Sequence, residues 1–210
     1  LFEFNNIEKI DIETIDGSNI YTIDNFFKNP DSILEYLLAT PPFIHKGNEH
    51  PSFNTVHFFE GRHVIDDPQI GIIQKTLMSI CGVNDLSTSQ IYSNVAYFKD
   101  LVFNDYKNNY WWPHRDSGYN CLIYMNKFEI DGTNIYEEVS PEDRLYLHEN
   151  KINEHQAPWR SKRFYNIIKT IPAKYNRLVM FDGKKFLHNM AINDDTFFHQ
   201  YRLNLALFFK

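Results

Sequence analysis

The sequence predicts a mainly β chain with flanking helices, and three observations carry that prediction. From Gln90 onward, short segments of alternating apolar residues recur between turn residues. Aromatic residues are 16% of the chain, with 18 Phe and 13 Tyr, and aromatic side chains favour strands. Helical apolar spacing occurs in only two stretches, both before residue 82. With 210 residues, 43% hydrophobic and 23% charged, the chain has the composition of an ordinary globular protein, not a disordered or fibrous one. Its length suits one domain, with strands and supporting helices over 1–89 and a β core over 90–210.

The elements follow in order. Residues 7–24 alternate as two strands, with Asp16-Gly17 as the hairpin turn. Pro30 suits a first helical turn and Asp31 its positive end, and Ile33, Leu34, Leu37 and Leu38 supply the apolar face. Pro41-Pro42 ends this helix. Residues 43–63, with His45, His50, His57 and His63, read as loop with short strands, and their spacing matches no metal motif. A second helix is expected over about 67–81, started by Asp66-Asp67, lined by Ile70, Ile73, Leu77 and Ile80, and ended by Gly82. Strands are then expected near 90–99, 110–116, 119–126, 134–136, 165–171, 177–182, 186–190 and 201–209, a set that suits a sandwich or barrel. Residues 137–163 are charged and show little periodicity. They read as an insertion or lid.

The net charge of −6 argues against a non-specific nucleic-acid binder. No apolar run reaches the roughly 18 residues of a membrane span. No signal peptide is recognisable, and the two cysteines, Cys81 and Cys121, read as free thiols of a reducing, cytoplasmic compartment. Oligomeric state is not encoded in any pattern of this kind.

The most informative stretch is Trp111-Trp112-Pro113-His114-Arg115-Asp116. On a strand, residues two apart share a face, so His114 and Asp116 present an imidazole and a carboxylate to one point. His188, which follows the strand ending at Asp182, is the candidate third ligand. Two His and one carboxylate on one face of a metal form the facial triad of non-haem Fe(II) oxygenases. Arg202, 14 residues after His188, opens the apolar strand Leu203–Phe209 and offers a two-pronged partner for a carboxylate. Tyr124 is placed to add a phenolic donor to the same group. Tyr110, Trp112 and Asn189 lie beside the ligands in sequence and are candidates to contact the substrate, the aromatic pair by stacking on a ring.

Several local patterns, in order, resemble 2-oxoglutarate- and Fe(II)-dependent oxygenases of the prolyl-hydroxylase-like branch. Asn94-Val95-Ala96-Tyr97 resembles the strand that brings a cosubstrate-contacting tyrosine. His114 and Asp116 match the His-x-Asp motif. Cys121–Asn126 resembles the strand ending in Tyr-Leu-Asn, Gly132–Tyr136 the Gly-Gly-x-Leu turn, and Asn176–Phe181 the strand before the second His. Arg202 matches the basic residue that pairs with 2-oxoglutarate. The interval from Asp116 to His188 is longer than in compact members.

The resemblance covers roughly residues 90–209. It implies a double-stranded β-helix (jelly roll, cupin-like) with helices packed on one sheet. It also implies Fe(II) held by His114, Asp116 and His188, with 2-oxoglutarate held by Arg202, Tyr124 and Tyr97. O2 would be the oxidant, and the product a hydroxylated peptidyl, amino-acid or small-molecule substrate together with succinate and CO2. Two alternatives stay open: a non-catalytic jelly-roll module that binds metal or ligand, and an oxygenase of the nucleic-acid demethylase type.

Overall fold

The computed structural model describes residues 1–39, 63–65, 67–84, 91–96, 104–150 and 159–210. In chain order its strands are β1 (Asp11–Ile15), β2 (Ser18–Ile23), β3 (His63–Val64), β4 (Ile91–Ala96), β5 (Asn109–Trp111), β6 (Tyr119–Tyr124), β7 (Thr133–Glu138), β8 (Trp159–Ser161), β9 (Tyr165–Ile171), β10 (Arg177–Asp182), β11 (Leu187–Met190) and β12 (Arg202–Phe209). The helices are α1 (Pro30–Ala39), α2 (Pro68–Cys81), α3 (Glu142–Glu149) and α4 (Thr196–His199). The fold is therefore mainly β, and every strand pairing described is antiparallel.

Seven strands form one sheet in the order β1-β2-β10-β6-β12-β4-β3, and three form a second in the order β11-β7-β9. β5 and β8 pair separately. Alternation along the central strand β6 divides the large sheet into two faces. Cys121 and Ile123 point to one side with Tyr21, Ile23, Leu178, Met180, Leu203, Leu205 and Leu207. There they pack on Ile33 and Leu37 of α1 and Ile70, Ile73 and Leu77 of α2. Each such Ile or Leu contributes about 1.5–3 kcal/mol by leaving water. Asn120, Leu122 and Tyr124 point to the other side, where Tyr124 meets Val179, Phe181 and Ile135 of the small sheet. The chemistry lies on this second face.

Local signals explain the well-placed elements. Asp16 and Gly17 both have positive φ, 48° and 73°, the backbone a two-residue hairpin needs between Ile15 and Ser18. Asp67 caps α2 by accepting from the Gln69 N–H at 2.8 Å, and Gly82 ends it in the left-handed conformation at φ 70°.

The stretch 137–163 departs from its expectation as loop. It holds the end of β7, the helix α3 and strand β8, which pairs with β5 at Trp111↔Trp159. The helix escaped detection because Leu145 and Tyr146 face solvent, so no apolar stripe marks it. The strand expected over 110–116 is also shorter. β5 stops at Trp111, because Trp112 takes a left-handed backbone, φ 38°. Pro41-Pro42, His45, His50, His57, Tyr97 and residues 151–158 lie outside the described residues.

Candidate metal centre

His114 and Asp116 converge through hydrogen bonds to the opposite segment, not through a continuous strand. His114 forms an isolated bridge with His188 on β11: its N–H donates to the His188 carbonyl at 3.1 Å and its carbonyl accepts from the His188 N–H at 2.9 Å. The Asp116 N–H donates to the Gly183 carbonyl at 3.0 Å. Gly183 is required for this approach. A Cβ there would stand 2.8 Å from both the Asp116 Cβ and the Gly118 carbonyl oxygen.

The ligand atoms of His114, Asp116 and His188 lie within 4.8 Å of one another. Asp116 Oδ2 is 3.7 Å from His114 Nε2 and 3.3 Å from His188 Nε2. Each imidazole is oriented from behind: His114 Nδ1 lies 2.8 Å from the Trp112 carbonyl oxygen and His188 Nδ1 lies 2.9 Å from that of Phe186. A carbonyl only accepts, so each ring donates from Nδ1 and turns Nε2 toward Asp116. Nε2 is then the nitrogen each ring would offer a metal. Burial works to raise the Asp116 carboxyl, but the two histidines and the Asn120 amide outweigh it and hold the group at about 2, so it is a carboxylate. The His114 and Asp116 side chains keep 20% and 30% of their exposure while His188 keeps 5%, so the centre opens on the His114–Asp116 side.

Arg202 occupies the other end of the same sheet face. Its side chain is enclosed, with the residue only 6% exposed, and among the described residues no carboxylate contacts it. Nη1 donates to Asn204 Oδ1 at 2.8 Å and Nη2 reaches the Gly132 carbonyl oxygen at 3.4 Å, while Nε has no partner among the described residues. The guanidinium lies 5.6 Å from the centre of the Tyr124 ring, whose hydroxyl is 2.7 Å from Thr133 Oγ1. Burial pulls the Arg202 pKa below its ordinary value, yet a guanidinium stays charged. A buried cation without a counter-charge costs several kcal/mol. Asn120 and Tyr124 mark the two ends of this face, four residues and about 13 Å apart along β6. Leu122 between them is only half-buried although β10 and β12 flank it.

The three candidate substrate residues sit in different settings. Trp112 stacks on His114 with ring centres 4.5 Å apart and 21° between planes. Tyr110 packs 4.8 Å from Tyr136 in a separate cluster with Phe164, Tyr165 and Leu187. Asn189 donates through Nδ2 to the carbonyls of Trp111 and Trp112 and thereby anchors the segment that orients His114.

Two residues of the centre were not singled out in the sequence. Gly183 is one. The other is Asn120, whose Nδ2 lies 2.6 Å from Asp116 Oδ2 and 2.7 Å from His188 Nε2. Its signal was available: an amide at an inward position of an otherwise apolar strand.

A model of the family of unknown function DUF6445 matches residues 6–204, and the chain belongs to that family. A search of curated proteins matched none. Among the described residues no helix is long and apolar enough to cross a membrane.

Proposed function

We propose that this member of DUF6445 is an Fe(II)- and 2-oxoglutarate-dependent dioxygenase that hydroxylates a C–H bond of a peptidyl, amino-acid or small-molecule substrate. The observation that carries the proposal is Arg202, a buried cation with no anionic partner among the described residues, on the sheet face that also bears the His-Asp-His set. Burying an unpaired charge is costly, and a ligand carboxylate removes the cost.

The residues present fit both groups. Two neutral imidazoles and one carboxylate, with both Nδ1 atoms satisfied by carbonyls, suit a divalent first-row metal and leave coordination positions open. The partnerless Nε and the weakly engaged Nη2 of Arg202 suit a carboxylate. The topology supports a double-stranded β-helix. With the His114 bridge counted as the fourth member of the small sheet, β4-β12-β6-β10 faces 112–116-β11-β7-β9 as two layers of four, the division of a jelly roll.

When bound, iron and 2-oxoglutarate supply the oxidising chemistry, with O2 consumed and succinate and CO2 released. The chain itself binds and orients. His114, Asp116 and His188 hold the metal, and their carbonyl-anchored rings cannot rotate without breaking a hydrogen bond. Arg202 would receive the far carboxylate of the cosubstrate. Tyr124 sets its ring against the guanidinium, and its hydroxyl, 2.7 Å from Thr133 Oγ1, would supply a further donor. The exposed His114–Asp116 side leaves room for the substrate, beside the Trp112 indole.

The test is succinate formation from 2-oxoglutarate under air, with and without Fe(II) and without a substrate. Iron-dependent succinate, lost in His114→Ala, is expected. Absence of both turnover and anaerobic 2-oxoglutarate binding to the metal-loaded protein would reject the enzyme in favour of a non-catalytic jelly-roll module.

A further inference from the structure

Taking the metal assignment above as its basis, we propose that Asn120 is a positioning residue of the centre: its amide holds Asp116 and His188 together before the cation arrives and fixes which carboxylate oxygen the cation meets. Asn120 is 2% exposed and sits on β6, on neither of the ligand-bearing segments. Its Nδ2 is within hydrogen-bond distance of two acceptors at once, Asp116 Oδ2 at 2.6 Å and His188 Nε2 at 2.7 Å. The Asp116 carboxylate oxygen only accepts, so that contact sets the amide orientation. The Oδ1 atom, by contrast, is buried with no partner among the described residues. A buried amide that leaves its acceptor unsatisfied gives up about 1–3 kcal/mol. That cost is compatible with a side chain held for its donor end.

The donor end does what a cation would do. Asp116 Oδ2 and His188 Nε2 lie 3.3 Å apart. One amide nitrogen within reach of both bridges them and holds the pair together. Gly183 lies against the amide, where an added Cβ would stand 3.1 Å from Nδ2. Phe181, the register partner of Asn120 on β10, packs edge-on against the His188 ring at 4.8 Å.

Oδ2 is the oxygen that faces both imidazoles, and it carries two lone pairs. Asn120 engages one of them, so the other is the one this carboxylate would offer a metal, while His188 would offer its Nε2.

The experiment is anaerobic Co(II) titration of the full chain, read by visible absorption and calorimetry, for the wild type, Asn120→Ala and Asn120→Asp, with thermal unfolding of each metal-free protein. Expected for Asn120→Ala is a 10–100-fold weaker Co(II) affinity with an altered cobalt spectrum. Expected for Asn120→Asp, which keeps the shape but has no N–H to donate, is a lower metal-free Tm and a cobalt spectrum altered from the wild type. Wild-type affinity and spectrum in folded Asn120→Ala would overturn the proposal, because a side chain that only fills space changes Tm and nothing else. If Asn120→Ala fails to fold, a wild-type cobalt spectrum in Asn120→Asp overturns it. Failure of the wild type to bind Co(II) would instead overturn the metal centre itself.

Discussion

Replacing Arg202 by Met is expected to move stability and ligand binding in opposite directions. The side chains are similar in length, and Met fills the same channel without a charge. Among the described residues Arg202 has one good hydrogen bond, to Asn204 at 2.8 Å, one long one to Gly132 at 3.4 Å, and no partner for Nε. Replacing poorly compensated buried charge by apolar residues is often stabilising by about 1–4 kcal/mol. Loss of the Asn204 partner returns about 1–3 kcal/mol and the Tyr124 ring contact a further 0.5–2 kcal/mol, roughly. The net is near zero, so ligand-free Tm should shift by no more than about 4 °C either way. Binding of 2-oxoglutarate to the metal-loaded protein should fall by about 2–5 kcal/mol, roughly 30-fold to several thousand-fold, because the carboxylate would lose its desolvated partner. Co(II) affinity should stay at the wild-type value, since Arg202 has no contact with the His-Asp-His set. Differential scanning fluorimetry and anaerobic calorimetry read the two quantities separately. A Tm loss above 10 °C with unchanged cosubstrate affinity would refute the reasoning and make Arg202 a structural residue.

Two further expectations concern other parts of the chain. Gly183→Ala forces a Cβ to within 2.8 Å of the Asp116 Cβ and the Gly118 carbonyl oxygen, so it should destabilise by about 1–3 kcal/mol and weaken Co(II) binding by shifting Asp116; full Co(II) affinity would contradict it. Asp24 accepts from Arg177 at 2.6 and 3.0 Å and from Lys174 at 2.9 Å, and the Arg177 bond foremost holds its carboxyl at about 2, against the ordinary 3.8. The folded value is the lower one, so this contribution is complete above about pH 4 and disappears as pH falls to 2. After screening by solvent it amounts to about 1 kcal/mol. Asp24→Asn should therefore be less stable than wild type at pH 6 and equal to it near pH 2, a convergence that urea unfolding at both pH values would reveal or exclude.

The parts of the fold that were legible in the sequence are those decided by neighbours along the chain. The hairpin at Asp16-Gly17 needs two residues that tolerate positive φ. α2 carries its own cap at Asp67, its own stop at Gly82 and a periodic face between them. β9 and β10 appear over the expected residues, 165–171 and 177–182. The early end of the strand expected over 110–116, and the helix and strand inside the insertion expected over 137–163, were not legible for the opposite reason. Trp112 leaves the strand because Asn189, far away in sequence, holds its carbonyl. β8 exists because β5 offers an edge, not because Trp159-Arg160-Ser161 favours a strand.

The candidate centre divides in the same way. The residue types of the metal set, the order of His114, Asp116 and His188, and the cation at the head of an apolar strand are properties of the sequence. Composition and charge likewise shaped the expected class of partner. Tertiary structure alone brought His188 against His114, enclosed Arg202 with no counter-charge among the described residues, set both Nδ1 atoms on carbonyls, and inserted Asn120 between Asp116 and His188. Hydrogen bonds across sheets and desolvation depend on which segments meet and on how much water leaves between them. Residue spacing along one chain carries neither quantity.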